Sequence, residues 1–177
     1  MKYAALLTLI TASAAFAAET PLGQAFDKNL SGVESEFVSL AEAMPASAYN
    51  FAPTAGEFKG VRTFAQQVKH VAAVNYLIGS AILGEKPPRD TGGEAGPASV
   101  ATKEQIVPFL KDSFVYLHKA MVTLTAQNLT QMVQSPFGKN QTPRSSLALE
   151  AAAHCFDHYG QMVVYARMNK IVPPASR

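Results

Sequence analysis

Apolar residues recur every three or four positions in four separate segments of the chain, with polar residues between them. This spacing puts the apolar side chains on one face of a helix. In the first segment these positions are Leu22, Phe26, Leu30, Val33, Phe37, Leu40 and Met44. No segment shows the strict alternation of a half-buried strand. The pattern therefore predicts an all-α fold, a four-helix bundle whose helices bury these faces against one another.

Residues typical of helix starts and ends lie at the borders of these segments. A threonine that can act as N-cap precedes each one: Thr20, Thr63, Thr102 and Thr142. The first and last threonines are followed by proline, which favours the first helical position. The middle two are followed three residues later by glutamine, which completes a capping box. We expect the second helix to end at Gly84 and the fourth to extend to about Lys170, before Pro173.

Two connections are longer than a helical bundle needs. Residues 45–62 and 85–101 are rich in proline and glycine, whereas a few residues suffice to join neighbouring antiparallel helices. We therefore expect at least one of these loops to cross over the bundle. Together they could cover one of its ends.

The N-terminus has the three parts of a cleavable signal peptide. Lys2 supplies the positive charge, residues 4–14 form a short apolar core, and Ala15-Phe16-Ala17 is a small-residue cleavage site. The core is too short to span a bilayer as a helix, and no other segment is apolar enough to do so. We therefore predict a signal peptide at residues 1–17 and one mature domain at residues 18–177. The mature domain is expected to be exported, periplasmic or secreted, with no membrane contact after cleavage.

Charge and cysteine content narrow the classes of function. The chain has 177 residues with 15 basic and 13 acidic side chains, a net charge of +2. Removal of Lys2 leaves 14 basic and 13 acidic side chains, a net charge of +1. These charges are scattered, so electrostatic binding of nucleic acid is not expected. Cys155 is the only cysteine, which rules out an intramolecular disulfide, and we expect it to be a buried, unreactive thiol.

Three of the four histidines can meet at one metal ion. His154 and His158 are four residues apart in the fourth segment, so their rings project from one helical face with Cβ atoms about 5–6 Å apart. His70 lies in the second segment, and antiparallel packing of the two helices would bring it opposite the pair. Three neutral imidazoles leave a coordination position open for water or substrate, as in catalytic zinc sites.

Each candidate also has a purely structural interpretation. A single histidine such as His70 on an apolar helix is more often hydrogen-bonded or solvated than bound to metal. Glu150, four residues before His154, could orient that ring by accepting its N–H, bind the metal or accept a proton from a nucleophile. It could also be a solvated acid favoured by the helix dipole. His118 lies beside the apolar face of the third segment and is interpreted as a residue at the edge of the core, not a fourth ligand.

Several short motifs together resemble a known family. They are Phe51-Ala52-Pro53-Thr54, Arg62-Thr63-Phe64, Val68-Lys69-His70-Val71, His154-x-x-x-His158-Tyr159-Gly160-Gln161, Tyr165-Ala166-Arg167 and Ile171-Val172-Pro173-Pro174. On these motifs, which extend over essentially the whole mature chain, the sequence resembles the DinB superfamily. The resemblance implies a four-helix bundle with up-down-down-up connectivity that often pairs as a dimer. It also implies a divalent metal bound by His70, His154 and His158.

The resemblance leaves several reactions open. Characterised members include thiol-dependent transferases and isomerases, and many others are described only as metal-dependent hydrolases or damage-inducible proteins. An exported domain meets few reduced small thiols. We therefore expect a hydrolase or transferase that binds zinc or nickel and acts on a small molecule, with Glu150 as the nearest proton acceptor. The alternative is a bundle that binds a metal or a ligand in the exported space without catalysis.

Overall fold

Four long α-helices make up most of the protein. The computed structural model describes residues 21–177, so the predicted signal peptide, the expected start at Ala18 and the expected N-cap Thr20 lie outside it. Helix α1 spans Pro21–Ala43, α2 Phe64–Leu83, α3 Lys103–Met121 and α4 Arg144–Met168. A membrane-spanning helix is not found among residues 21–177. The predicted helical class and the four long helices are confirmed.

The ends of α2 follow the sequence prediction. The Thr63 hydroxyl accepts a hydrogen bond from Gln66 N at 3.2 Å, and the Gln66 side chain accepts one from Thr63 N at 2.8 Å. These two bonds complete the capping box. The helix ends at Gly84, whose φ of 71° is left-handed backbone that glycine adopts without steric cost. Both ends of the helix that carries His70 are therefore fixed by local sequence.

A short antiparallel β-ribbon precedes α4 and corrects the prediction of a chain without strands. Strand β1, Met132–Gln134, pairs with β2, Gln141–Pro143. Each strand has three residues, too few to show alternation in a sequence. The Gln134 side chain donates to the carbonyl oxygen of Gly138 at 2.8 Å and so holds the loop between the strands.

Helix α4 begins one residue later than predicted. Thr142 lies in β2 and is not the N-cap; that position is occupied by Pro143, which has no capping side-chain hydrogen bond. Arg144 N donates instead to the carbonyl oxygen of Gln131 at 3.1 Å. A backbone carbonyl just before the ribbon thus accepts the hydrogen bond that an N-cap side chain would otherwise accept. The helix ends at Met168, close to the predicted end.

Helix α2 has more buried residues than any of the other three helices. It packs against α3 and α4, and α1 packs against the same two helices. The largest fully buried side chains lie mainly on α1, α2 and α3: Tyr76, Phe37, Phe64, Phe114, Leu30, Leu40, Met44, Ile78, Ile82, Ile106, Leu110 and Leu117. Burial of each such apolar side chain contributes on the order of 1.5–3 kcal/mol. This contiguous core holds α2 in place as the support of His70.

Helices α2 and α4 run in opposite directions. Just before α2, the carbonyl oxygen of Arg62 accepts a hydrogen bond from the Tyr165 hydroxyl at 3.1 Å. Further along α2, Asn75 Oδ1 lies 3.5 Å from Cys155 Sγ, ten residues earlier in α4. Antiparallel packing therefore brings His70 opposite the two histidines of α4, as predicted.

Candidate metal centre

The side chains of His70, His154 and His158 converge between α2 and α4. One ring nitrogen of each lies within 4.8 Å of the corresponding atoms of the other two. The Nε2 atoms of His70 and His154 are 3.0 Å apart. Two nitrogen ligands of a tetrahedral zinc ion lie about 3.3 Å apart. The three histidines therefore have the spacing of a ligand set, and no other such group of His, Cys, Asp or Glu side chains occurs in residues 21–177.

Burial keeps these three rings neutral. It lowers the pKa of His154 to about 3 and that of His158 to about 4, and it also lowers the pKa of His70. The neighbouring His70 ring and the Arg62 guanidinium lower the pKa of His154 and His158 further, because each disfavours an additional positive charge. Neutral imidazole is the form that binds metal, so the site can accept a cation at neutral pH.

Hydrogen bonds to carbonyl oxygens fix the tautomers of two rings. His70 Nδ1 lies 2.6 Å from the backbone carbonyl oxygen of Glu94, and His158 Nδ1 contacts Oε1 of Gln67. A carbonyl oxygen can only accept, so each Nδ1 carries the proton and donates it. Each Nε2 is left with a lone pair, which makes it the atom that can bind a metal ion.

Gln67 is itself held by a chain of hydrogen bonds. Its Nε2 donates to Gln161 Oε1 at 2.8 Å, and Gln161 Nε2 donates to Asp157 Oδ2 at 3.0 Å. The Asp157 carboxylate can only accept, so it fixes the orientation of the Gln161 amide, and Gln161 in turn fixes that of Gln67. An exposed acid on α4 thus determines which nitrogen of the buried His158 is protonated.

His154 tests most directly whether the site fits a metal. Its Nδ1 is buried without a hydrogen-bond partner, while its Nε2 faces that of His70. Since His70 Nε2 carries no proton, this contact is favourable only with a proton on His154 Nε2 or with a cation between the two lone pairs. A proton on His154 Nε2 would give a hydrogen bond to the lone pair of His70 only. A divalent ion would accept a lone pair from each of the three rings. The donor set therefore fits a divalent metal ion.

No thiolate or carboxylate completes the ligand set. Cys155 follows His154 in the chain but is buried against Asn75, and burial raises the pKa of its thiol to about 12. The predicted buried thiol is thus confirmed. No Asp or Glu side chain of residues 21–177 belongs to the ligand group. A set of three protein ligands leaves a coordination position for a molecule from solution.

Two further candidates lie outside the ligand group. Glu150 is exposed on α4, and because His154 Nδ1 has no partner, Glu150 does not orient that ring. His118 lies between α1 and α3, where its Nδ1 is 2.6 Å from Asp27 Oδ1 and its Nε2 is 2.9 Å from Glu34 Oε2. As predicted, His118 is not a fourth ligand.

Sequence reasoning did not assign a role to three residues of this site: Gln67, Glu94 and Arg62. Gln67 precedes His70 by three residues, a spacing that places both on one helical face and could have indicated it. The Glu94 carbonyl and the Arg62 guanidinium come from the two long loops, where no periodicity indicates which atoms reach the site.

A cleft of about 640 Å³ opens next to Gln67, which contacts His158; the three histidines themselves do not line it. Both long loops and the helices α2 and α4 contribute to its wall, which consists of Gly60, Val61, Arg62, Gln66, Gln67, Lys69, Ala95, Gly96 and Gln161. Gln67 connects this wall to His158 through its amide oxygen. A cleft of this volume accommodates a small molecule.

Comparison with known proteins agrees with this fold. The model of the DinB superfamily matches residues 29–162. The crystal structure of a DinB-like protein from Bacillus cereus ATCC 10987 has a TM-score of 0.65 and 16% identity, with 85% of this chain and 95% of that chain covered.

A conserved protein from Enterococcus faecalis has a TM-score of 0.66 and 17% identity, with 84% of this chain and 97% of that chain covered. At these identities the two structures show a shared fold alone. A search of curated proteins gave no match. Since the family match extends over most of the chain, the protein belongs to the DinB superfamily.

Proposed function

We propose that the protein is a metal-dependent enzyme that acts on a small molecule, with His70, His154 and His158 as ligands of one zinc or nickel ion. The convergence of three neutral imidazoles without a fourth protein ligand carries this proposal. When bound, such an ion polarises a carbonyl or phosphoryl oxygen and lowers the pKa of a water or thiol nucleophile.

The protein's own residues hold the ligands and admit the substrate. Gln67 and the Glu94 carbonyl keep the proton of His158 and His70 on Nδ1, so that both Nε2 atoms stay available. The rings project from α2 and α4, two long helices fixed by the core, which limits their movement. The cleft beside them gives a bound molecule access to the amides of Gln67 and Gln161.

Export decides between hydrolysis and thiol transfer. A mature domain at residues 18–177 outside the cytoplasm would meet few reduced thiols, and hydrolysis is then the proposed reaction. The intact mass of the native protein tests this, with Ala18 as the expected N-terminus. A mass that includes Met1 would contradict export and make thiol transfer the preferred reaction.

Activity is tested on untagged protein of known metal content with ester, amide, phosphoester and thiol-acceptor substrates. We expect turnover of at least one class that is lost with a chelator and restored by zinc or nickel. Turnover that is unchanged after complete removal of the metal would contradict the metal-dependent function.

A non-catalytic bundle that binds a metal or ligand in the exported space is the second candidate. The observation that favours it is the lack of a carboxylate in the ligand group, together with the exposed position of Glu150. A proton acceptor is thereby missing from the ligand group in residues 21–177. One bound ion per chain without turnover of any substrate class would favour this candidate.

We also infer up-down-down-up connectivity. Contacts advance in the same direction along α2 and α3 (Tyr76 with Phe109, Ser80 with Tyr116) and in opposite directions along α1 and α3 (Asp27 with His118, Glu42 with Lys111). With α2 and α4 antiparallel, these directions support the order inferred for the bundle.

Finally, we propose that the protein forms a homodimer through α4. Leu149, Phe156 and Val164 lie on one side of this helix and expose 64%, 45% and 54% of their surface. Exposed apolar positions along one helix are typical of a surface that pairs. Analytical ultracentrifugation should give a dimer that Phe156→Glu dissociates, whereas a wild-type monomer would contradict the proposal.

A further inference from the structure

The cleft beside the metal centre is positively charged. Of the residues that line it, Arg62 and Lys69 are cationic and none is acidic. Three glutamines add amide N–H donors: Gln66, Gln67 and Gln161. The wall of the cleft therefore suits a molecule with negative charge.

Among residues 21–177, both cations lack an acidic partner, unlike several basic residues elsewhere in this part of the chain. The ion pairs found among residues 21–177 all involve α3: Arg89 with Asp112, Lys111 with Glu42, Lys119 with Glu85, and His118 with Asp27 and Glu34. Neither Arg62 nor Lys69 forms an ion pair within this part of the chain. Within residues 21–177, Arg62 and Lys69 therefore line the cleft next to Gln67 without an ion-pair partner.

Close packing restricts the position of Lys69. The backbone of Gly96 passes so near that a Cβ there would lie 2.9 Å from both Cβ and Cε of Lys69. Lys69 is half-buried, whereas Arg62 is exposed. A half-buried cation keeps only part of its hydration, so an anion from solution would interact more strongly with Lys69 than with a fully exposed lysine.

Side chains, not backbone groups, would hold such an anion. The cleft adjoins the N-terminal end of α2, where the helix dipole favours negative charge. However, the first N–H groups of this helix already donate to Phe51 O at 2.9 Å, Tyr49 O at 2.8 Å and the Thr63 hydroxyl at 3.2 Å. Arg62 and Lys69 are therefore the groups that remain for direct contact.

Two acids lie near the cleft but do not line it. Asp157 accepts the hydrogen bond from Gln161, and Glu94 is exposed while its backbone carbonyl binds His70. The lining itself has two positive side chains and no negative one.

We propose that the substrate of this metal centre is an anion, a small molecule whose carboxylate or phosphate group binds Arg62 and Lys69 while its reacting group faces the histidines. This inference rests on the proposed metal-dependent function. The planar Arg62 guanidinium can hold two oxygens of such a group at once, and Lys69 adds a point charge. A neutral molecule of the same size would gain no such charge–charge attraction.

Calorimetric titration of the metal-loaded and the metal-free protein with acetate, phosphate and acetamide tests this inference. We expect acetate or phosphate to bind and the neutral acetamide not to bind. Because a hydrogen bond to a charged group contributes about 1.5–3 kcal/mol, the double substitution Arg62→Gln with Lys69→Gln should weaken anion binding by more than about tenfold. The preferred anion identifies the group as carboxylate or phosphate.

The matched control is the double substitution Arg89→Gln with Lys111→Gln, which removes the same charge near α3. It should leave anion affinity unchanged. Equal anion affinity in the cleft variant and the wild type, or equal binding of acetate and acetamide, would overturn the inference. Metal analysis of each sample keeps the two proposals separate. A protein without metal refutes the proposed function, while the metal-free titration still tests Arg62 and Lys69.

Discussion

The protein holds histidines in two places, between α2 and α4 and between α1 and α3, and the ring pKa is shifted in opposite directions at the two places. His70 and His158 donate to carbonyl oxygens, and burial lowers the pKa of both rings, so that they are neutral at neutral pH. His118 has a carboxylate at each ring nitrogen. Burial lowers the pKa of His118, but the hydrogen bonds to Asp27 and Glu34 outweigh burial, so its pKa is raised above the usual value.

This difference shows that the acceptor beside a buried histidine, more than burial itself, decides what the ring can bind. A carbonyl oxygen takes one proton from the ring and leaves a lone pair for a metal. Two carboxylates require a proton on each ring nitrogen, so no lone pair is left for a metal. In the first arrangement the ring is neutral and can bind a cation. In the second the ring is protonated and is itself a cation. The predictions below separate the two places.

Substitution of the proposed ligands should have the largest effect. His70→Ala and His154→Ala each leave two imidazoles, so metal affinity should fall by more than the roughly 10–100-fold that loss of a supporting hydrogen bond costs. His118→Ala is the matched control and should retain one ion per chain. Full metal content in purified His70→Ala protein would refute the site.

Removal of the hydrogen bond behind His158 should have the next largest effect. In Gln67→Leu, His158 Nδ1 loses its acceptor, so the ring can protonate Nε2 or rotate. We expect metal affinity to fall by about 10–100-fold, as measured by competition with a chelating dye. Gln161→Leu removes only the hydrogen bond that orients the Gln67 amide, so metal affinity should fall by less than in Gln67→Leu. An unchanged affinity in both variants would mean that the hydrogen-bond chain does not support the metal site.

Much of the fold could be predicted from sequence, because periodicity and caps are local. The spacing of His154 and His158 placed both rings on one face of α4, and the Thr63–Gln66 capping box fixed the start of α2. The β-ribbon was missed because strands of three residues show no periodicity. The carbonyl of Glu94 could not be predicted, since backbone atoms of a long loop leave no pattern in the sequence.

Removal of the metal should lower thermal stability without unfolding the protein. At free metal 100-fold above the dissociation constant, binding contributes about 2.7 kcal/mol, or roughly 5–10 °C in Tm for a domain of this size. The apolar core is contiguous and its packing does not depend on a metal ion, so the helices should persist. Circular dichroism at about 25 °C, the usual reference temperature, measures this. A metal-free protein with little helical signal would show the metal to be structural.

Substitution of His118 should have the smallest effect, a loss of folding stability that depends on pH. Because its pKa is higher in the folded protein than in the unfolded chain, its ion pairs stabilise fully below about pH 6.5. This contribution is lost as the pH rises through the raised pKa. We expect His118→Gln to cost roughly 1 kcal/mol at low pH and little at high pH, since the three side chains are partly exposed. Urea unfolding that gives the same loss at both pH values would contradict a charged His118.

The most direct measurement is the visible absorption of the protein titrated with cobalt(II), a spectroscopic substitute for zinc. We predict saturation at one ion per chain, no such spectrum in His70→Ala, and a shift when imidazole is added, because a fourth position is open. Identical spectra for wild type and His70→Ala would contradict a centre built on these three histidines. A wild-type spectrum that imidazole does not change would contradict the open position on which the proposed enzyme depends.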